Sequence, residues 1–244
     1  MTVDYFSLDH VDSTWHVCLR QALKQLDPHY AAALAHSTEW LPGSKNIFNA
    51  FSLPLSKVNY VLFGESPYPR KESANGYAFW DAAVTEIWSP TGLNKKVNRA
   101  TSLRNIIKML LTAEGVLPTG QCTQENIARL PKTHFIKTND ELFYQLINHG
   151  FLLLNATLVL QKNAAKQDAL AWQPFMKTLL TCLLEVKPDI TFILLGRIAA
   201  AIDQLLPEVK VNKICAEHPY NLSFINNEKI LNFFRPLHLL NQRR

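Results

Sequence analysis

Polar side chains stand directly after three apolar runs of this sequence, where they could take part in chemistry. Glu65 and Ser66 follow the first run, Asn155 follows the second, and Glu217 with His218 follow the third. Together they supply carboxylates, a hydroxyl, a carboxamide and an imidazole, groups that exchange protons or recognise the polar edge of a ligand. We expect the functional site to be built from these loops.

The apolar runs predict the elements that must position these side chains. Four short stretches are typical of strands, namely 58–63, 151–154, 190–195 and 211–216. Five others have the apolar spacing of helices, namely 101–112, 140–149, 173–186, 197–206 and 227–240. Because strands and helices alternate, the sequence favours a three-layer α/β/α sandwich with a central, mainly parallel four-stranded sheet.

Ligands of such sheets bind outside the carboxyl ends of the strands. Here those ends are the loops that begin at Gly64, Asn155, Gly196 and Glu217. The third of them, with Arg197, is predicted to be only a turn from strand to helix. The sequence contains no glycine-rich phosphate loop, no nucleophile elbow and no acid or histidine cluster with metal spacing.

The N-terminal part has the apolar spacing of a helix from Trp15 to Leu26, with Asp12 or Ser13 as its cap. We interpret 1–244 as a single domain, with a helical N-terminal segment of about residues 1–50 packed on it. The sequence lacks a secretory leader and any apolar run of about 18 residues, so we expect a cytoplasmic protein without membrane contact.

The charge balance mildly favours a polyanionic partner, because 25 Lys and Arg against 20 Asp and Glu give a net charge of +5. Five basic residues share an acid-free segment that either lies along a phosphate backbone or is a solvated loop: Lys95, Lys96, Arg99, Arg104 and Lys108. The four cysteines lack metal-site spacing and are expected to be buried reduced thiols: Cys18, Cys122, Cys182 and Cys215.

Five motifs resemble, in order, those of the uracil-DNA glycosylase superfamily, most closely its family 1 branch. The branch motif Gly-Gln-Asp-Pro-Tyr-His is matched by Gly64-Glu65-Ser66-Pro67-Tyr68-Pro69, and Gly-Leu-Ala-Phe by Gly76-Tyr77-Ala78-Phe79. The Pro-Ser loop is matched by Ser102-Leu103-Arg104-Asn105-Ile106, and the uracil-reading strand by Leu152-Leu153-Leu154-Asn155. The His-Pro-Ser-Pro-Leu-Ser loop is matched by His218-Pro219-Tyr220-Asn221-Leu222-Ser223. Insertions are expected around residues 81–100 and 113–138.

The resemblance implies a base pocket. Asn155 would meet the N3–H and O4 of uracil, Phe79 would stack on the flipped base, and Tyr68 would exclude the methyl group of thymine. His218, as a neutral imidazole, would donate a hydrogen bond to O2 as negative charge builds there. Each residue also has a structural alternative as a strand-end amide, a core ring, a packed turn tyrosine or a loop histidine.

The resemblance also implies contacts with DNA outside the pocket. Leu222 would enter the vacated base stack as an apolar wedge. Ser102, Arg104 and Ser223 would contact the DNA backbone on either side.

Several residues depart from the family pattern. The water-activating aspartate of the family is Ser66 here, and a serine hydroxyl has neither the charge nor the basicity of a carboxylate. Glu65 could take over the role, as a glutamate is present there in another branch. The alternative is that Glu65 faces away from the sugar and is only a structural acceptor, because neighbouring side chains in an extended loop point in opposite directions. Pro69 and the pair Tyr220-Asn221 also differ, on the side that would face DNA.

These observations predict a uracil-DNA glycosylase-like protein that flips uracil or a related base out of DNA and excises it by hydrolysis, in base excision repair, with a reduced rate as one option. The alternative is a catalytically inactive DNA-binding or scaffold homologue of the same fold. A third, weaker interpretation is an unrelated doubly wound hydrolase or nucleotide-binding protein. We expect a monomer that binds single- or double-stranded DNA and needs no cofactor or metal.

Overall fold

The computed structural model describes residues 5–207 and 210–242. Its strands are β1 (Trp40–Leu41), β2 (Tyr60–Gly64), β3 (Trp88–Ser89), β4 (Gly92–Leu93), β5 (Phe151–Asn155), β6 (Leu160–Gln161), β7 (Thr191–Leu195) and β8 (Asn212–Ala216). Its α-helices are α1 (His16–Leu23), α2 (Pro28–Ala35), α3 (Lys95–Arg99), α4 (Thr101–Ala113), α5 (Gln124–Ala128), α6 (Asn139–Asn148), α7 (Ala165–Val186), α8 (Ile198–Asp203) and α9 (Glu228–Phe234).

The central sheet has four parallel strands in the order β5-β2-β7-β8. All four correspond to strands predicted from the sequence, and the predicted α/β/α class is confirmed. The chain leaves β2 first for β5 on one side and later for β7 on the other. The strand order therefore reverses beside β2, and the carboxyl ends of β2, β5 and β7 border the crevice where ligands of such sheets bind.

Side chains alternate between the two faces of the sheet and build one core on each. Phe63 packs in the core that contains Trp15 of the N-terminal segment and Trp172 of α7. Its neighbour Leu62 packs in the core that contains Leu110 of α4. Because both faces are covered, β2, β5 and β7 are nearly continuous apolar runs rather than alternating ones.

The N-terminal helix begins as predicted and α7 begins earlier than predicted. The Asp12 carboxylate accepts a hydrogen bond from the backbone of Thr14 at 3.0 Å and caps a short 3-10 turn that leads into α1. Helix α7 begins at Ala165, although apolar spacing indicated a helix only from 173. Its first turn buries Asp168 instead of an apolar residue, and the carboxylate accepts hydrogen bonds from Tyr30 and Gln161, each at 2.7 Å.

Two predicted helices are shorter in the structure. Helix α9 ends at Phe234 rather than at 240, and the chain continues as a 3-10 turn over Arg235–Leu237. Pro236 explains this end, because a proline ring fixes φ and removes the backbone donor that a longer helix would need. Helix α8 covers only Ile198–Asp203 of the predicted 197–206.

The expectation of four buried reduced thiols was wrong for three cysteines. Cys18 of α1 and Cys182 of α7 form a disulfide with their Cα atoms 5.7 Å apart. Close packing of α1 on α7 brings them within reach, although 164 positions separate them in sequence. Cys215 is exposed on the edge strand β8, and Cys122 is the buried free thiol that was predicted.

The two segments expected to be insertions lie against the core on the α4 face. The first carries the β3–β4 hairpin and α3, and the second carries α5. Ile87 and Val97 from the first and Ile127 from the second are fully buried there. Among the helices within the described ranges, none has the length and apolar character needed to cross a membrane.

Candidate active site

The carboxyl ends of β2 and β5 meet at Gly64 and Asn155, which are paired in the sheet. A Cβ atom on residue 64 would collide with Oδ1 of Asn155 and would lie 2.9 Å from the Cβ of Ala78, so only glycine fits. Asn155 is 3% exposed, and within the described residues its carboxamide makes no hydrogen bond to the protein. Its donor and acceptor are therefore available to a ligand in the crevice.

Tyr68 and Phe79 are joined across the loop that follows β2. The Tyr68 hydroxyl donates a hydrogen bond to the backbone oxygen of Phe79 at 3.1 Å. Burial, and then the nearby charge of Asp81, raise the pKa of Tyr68, so the hydroxyl keeps its proton. Phe79 has a φ of 63°, which is unusual for a bulky residue and is typical of strained functional positions.

His218 lies next to Phe79, with 6.0 Å between the ring centroids and 37° between the ring planes. Its Nδ1 accepts a hydrogen bond from the backbone N–H of Tyr220 at 3.1 Å. A neutral imidazole that accepts at Nδ1 carries its proton on Nε2. Burial lowers the pKa of His218 below its ordinary value, with Glu65 working in the opposite direction, so the ring is neutral near pH 7.

The loop that carries His218 is held from below by Asn105, a fully buried residue of α4. Its Nδ2 donates to the backbone oxygen of Pro219 at 2.7 Å and lies 3.5 Å from that of Tyr220. Asn105 belongs to one of the matched motifs, but no role was predicted for it. The available signal was an amide placed among the apolar positions of an amphipathic helix.

Glu65 and Ser66 have different surroundings although they are adjacent. Glu65 is exposed and lines the same cleft as His218, close enough for its charge to favour protonation of the histidine. It therefore lies on the histidine side of the crevice. Ser66 is half-buried, and within the described chain its hydroxyl makes no hydrogen bond.

Leu222 and Ser223 follow on the same loop as His218 and are both exposed. Leu222 is 69% exposed at the start of a 3-10 turn, an unusual position for a large apolar side chain. Glu217 begins the loop. Burial opposes ionisation of its carboxyl group, but hydrogen bonds from its own backbone, Ser223 and Asn227 outweigh this effect and lower its pKa.

Ser102 and Arg104 lie in the first turn of α4. Ser102 is half-buried, and Ala100 at the N-cap position supplies no side-chain cap to the helix. The Arg104 guanidinium donates to the backbone oxygen of Asn98 at 3.0 Å and to Oδ1 of Asn105 at 3.3 Å. Arg104 is thus tied to the fold, and its contact with DNA stays a prediction.

Only some side chains of the basic segment 95–108 are exposed and available to a phosphate. The Lys96 ammonium donates to the backbone oxygen of Ala83 at 2.9 Å. Burial, and then the nearby charge of Arg104, lower the pKa of Lys108. Lys95 and Arg99 are exposed.

The structure thus brings Asn155, Phe79, Tyr68 and His218 together with Glu65 at one edge of the sheet. A free amide, an aromatic face and a histidine that donates from Nε2 suit a flat polar ring on which negative charge develops. No group of three or more His, Cys, Asp or Glu side chains in the described part of the chain could hold a metal ion. The arrangement defines an α/β protein that gathers, at the carboxyl edge of its sheet, groups able to recognise a planar heterocycle.

The sequence and structure are similar to those of known uracil-DNA glycosylases, although no protein-family model matches the chain. The enzyme of Helicobacter pylori (strain Shi470) is 30% identical over 205 residues, which cover 82% of this chain and 76% of the relative. That of Campylobacter jejuni subsp. doylei is 26% identical over 220 residues, covering 87% and 82%. The crystal structure of wild-type UNG from Nitratifractor salsuginis is 40% identical, with a TM-score of 0.90 and coverage of 97% and 95%.

The chain belongs to the uracil-DNA glycosylase family, as its motifs predicted. A more distant likeness, to mimivirus uracil-DNA glycosylase with 20% identity and a TM-score of 0.59, concerns the fold alone. The assignment to the family 1 branch and the roles of single residues stay predictions.

Proposed function

We propose that this protein flips uracil out of DNA and hydrolyses the bond between the base and its sugar. The observation that carries the proposal is the state of His218. It is neutral, its Nδ1 is occupied by the backbone N–H of Tyr220, and its Nε2–H is left to donate. A base that departs as an anion needs such a donor where its charge develops, and a neutral donor can act without transferring its proton.

Base recognition is assigned to Asn155. Uracil presents a donor at N3 and an acceptor at O4, and one carboxamide can pair with both. Cytosine presents an acceptor and a donor at the same two places, so an amide held in the orientation that suits uracil is left with mismatched partners. A mismatch at a buried polar group costs far more than a lost contact in water, which makes this position a strong discriminator.

Phe79 and Tyr68 complete the pocket. The Phe79 ring is proposed to stack on the flipped base, and its strained backbone is held by the hydroxyl of Tyr68. Tyr68 would occupy the space beside C5 of the pyrimidine, where thymine carries a methyl group. Thymine would then be rejected by exclusion, while uracil fits.

The activation of the water that attacks the sugar is assigned to Glu65, with Ser66 as the alternative. Glu65 lies on the histidine side of the crevice and is exposed to solvent, so its carboxylate can both orient a water and accept its proton. Ser66 can only hold a water by hydrogen bonds. General-base assistance is worth about 10²–10⁴-fold in rate, so an enzyme that relied on Ser66 alone would be slow.

Contacts with DNA outside the pocket are proposed for the loop after His218 and for the start of α4. The exposed Leu222 would fill the space left in the base stack, and Ser223 would contact the backbone beside it. Ser102 would meet a phosphate on the other side, where the first N–H groups of α4 add a favourable dipole. Arg104 would support this contact from its place beside Asn98.

A second candidate function is a binding protein that keeps the pocket without turnover. The observation that favours it is Ser66, which stands where the family pattern predicts an aspartate. The two candidates differ in a single measurable property, the cleavage of the bond between uracil and its sugar.

Single-turnover excision of uracil from labelled oligonucleotides, single-stranded and opposite guanine, separates the two candidates. We expect cleavage by the wild type, a loss of about 10²–10³-fold in His218→Ala and of about 10²–10⁴-fold in Glu65→Gln. Glu185→Gln, a matched change at an exposed position of α7, should leave the rate unchanged. Identical purification of all variants reveals any contaminating host glycosylase, because its activity would persist in His218→Ala.

Two other outcomes of this experiment would contradict parts of the proposal. If Glu65→Gln is as fast as the wild type, Glu65 is not the base. If the wild type does not cleave but Ser66→Asp does, the protein has kept the pocket for binding and has lost catalysis.

A further inference from the structure

A cleft of about 800 Å³ opens directly beside the proposed base pocket and shares Glu65 and His218 with it. Its volume lies within the range of about 300–1,000 Å³ that is typical of small-ligand sites. Its floor is apolar, formed by Phe63, Leu195 and Ile198. Two residues that the base pocket does not use, Arg197 and Tyr220, line it as well.

Tyr220 offers an exposed aromatic ring on a fixed backbone. Its side chain is 68% exposed. Its backbone N–H is bound to Nδ1 of His218, and the loop beneath it is held by Asn105. An exposed aromatic ring on a backbone that is held in place can serve as a platform on which an unpaired base stacks.

Arg197 offers an unpaired cation at the same cleft. It is exposed, and within residues 5–207 and 210–242 its guanidinium makes neither an ion pair nor a hydrogen bond. By contrast, Arg70 is paired with Asp81 and Lys213 with Asp203. The turn before Arg197 lies against the histidine, since a Cβ on Gly196 would lie 2.7 Å from that of His218. A guanidinium in this position suits a phosphate.

We propose that this cleft binds the nucleotide next to the excised one, with its base stacked on Tyr220 and its phosphate beside Arg197. The inference rests on the proposed function, because the cleft adjoins the base pocket and a DNA strand continues from one into the other. The carboxylates of Glu65 and Glu217 also line the cleft and repel a phosphate, so the charged group belongs beside the arginine and the neutral base over the apolar floor.

This subsite favours single-stranded DNA. A base that stacks on Tyr220 has left its neighbours in the duplex, and a single strand largely avoids the free-energy cost of this unstacking. The subsite would therefore determine whether the protein prefers single-stranded or double-stranded DNA, which the base pocket alone does not determine.

The test is binding of single-stranded oligonucleotides that carry 2′-fluoro-2′-deoxyuridine, which resists cleavage, measured by fluorescence anisotropy. An abasic spacer replaces the nucleotide on one side of the uridine or on the other. For the wild type we expect the spacer on one of the two sides to weaken binding by about tenfold. Tyr220→Ala should bind the intact strand with the same loss and should no longer respond to the spacer, whereas Tyr220→Phe should behave as the wild type.

Arg197 is tested by the salt dependence of the same binding. Arg197→Ala should lower the slope of log affinity against log salt concentration by about 0.7, the contribution of one phosphate contact in single-stranded DNA. Arg20→Ala, at an exposed position of α1, and Tyr144→Ala, at an exposed position of α6, are matched controls that should leave the salt slope and the spacer response unchanged.

The subsite is refuted if the wild type ignores the spacer on both sides, or if Tyr220→Ala and the spacer weaken binding independently. It is also refuted if the wild type does not bind these oligonucleotides. Excision of uracil by the wild type is measured separately, so failure of the subsite and failure of the proposed function are distinguished.

Discussion

Asn105 is predicted to keep the His218 loop in its working position. Its amide donates to the backbone oxygen of Pro219 at 2.7 Å, and Pro219 is itself buried. The next residue, Tyr220, supplies the N–H that occupies Nδ1 of His218. Loss of the amide therefore acts on the tautomer and position of the histidine through two backbone links, without touching a bound base.

The expected size of the effect follows from these contacts. Asn105→Ala leaves a buried carbonyl without its donor, which costs about 1–3 kcal/mol of unfolding free energy. For a chain of this size each kcal/mol lowers Tm by about 2–4 °C. A displacement of the histidine by about 1 Å should slow excision by about 10²-fold. Asn105→Asp should lose more, because its carboxylate faces the carbonyl oxygen and cannot donate to it.

The assay compares single-turnover excision at a temperature well below the Tm of every variant. The matched control is Gln145→Ala, which removes another buried amide that donates to a backbone oxygen, that of Asn241 at 3.0 Å, outside the candidate site. The control should lose stability but keep the wild-type rate. If Asn105→Ala loses stability to the same degree and also keeps the wild-type rate, the loop does not depend on Asn105 for its working position.

Three further predictions concern pH and redox state. Because burial lowers the pKa of His218 from its ordinary 6.5, excision should be constant through neutral pH and fall only in more acidic buffer; a rate that rises as the ring is protonated would contradict the role of the neutral form. Burial raises the pKa of Glu114 from its ordinary 4.5 to about 7, so between these values the folded state holds a proton that the unfolded state has released, and the free energy of unfolding falls as the pH rises from about 4.5 to about 7. Glu114→Gln should therefore raise the free energy of unfolding by about 1–3 kcal/mol at about pH 8 and by little at about pH 4, as measured by thermal melts; equal effects at both would exclude a buried ionising carboxyl. Reduction of the Cys18–Cys182 disulfide should lower the free energy of unfolding by about 2–5 kcal/mol and leave excision below Tm unchanged, and equal melting curves with and without reductant would contradict a stabilising crosslink.

Three strands of the central sheet, β2, β5 and β7, could be predicted because they are buried on both faces. A strand such as β5 is then a short apolar run closed by a polar residue, and such a run is visible without knowledge of its partners. Helix ends were less predictable, because they depend on single prolines and on buried hydrogen bonds rather than on apolar spacing. Pro236 ends α9 early, while the buried hydrogen bonds of Asp168 allow α7 to begin at a residue that apolar spacing does not mark.

The site was predictable to the extent that its residues follow strands. Asn155 and His218 could be selected because each comes directly after an apolar run, and the topology of a parallel sheet gathers such positions at one edge. Asn105 and Arg197 could not be assigned in this way. One acts through backbone oxygens more than a hundred positions away, and the other differs from an ordinary turn residue only by the cleft that it borders.

The sequence by itself determined the layers of the fold, the family and the residue types at the strand ends. These follow from apolar runs and from the order of short motifs, and both can be recognised without knowledge of contacts between distant residues. The tertiary structure alone decided the Cys18–Cys182 disulfide, the proton position on His218 and the cleft between Arg197 and Tyr220. Each of these depends on the distance between groups that are far apart in the chain, and such distances are set only when the sheet and its helices pack together.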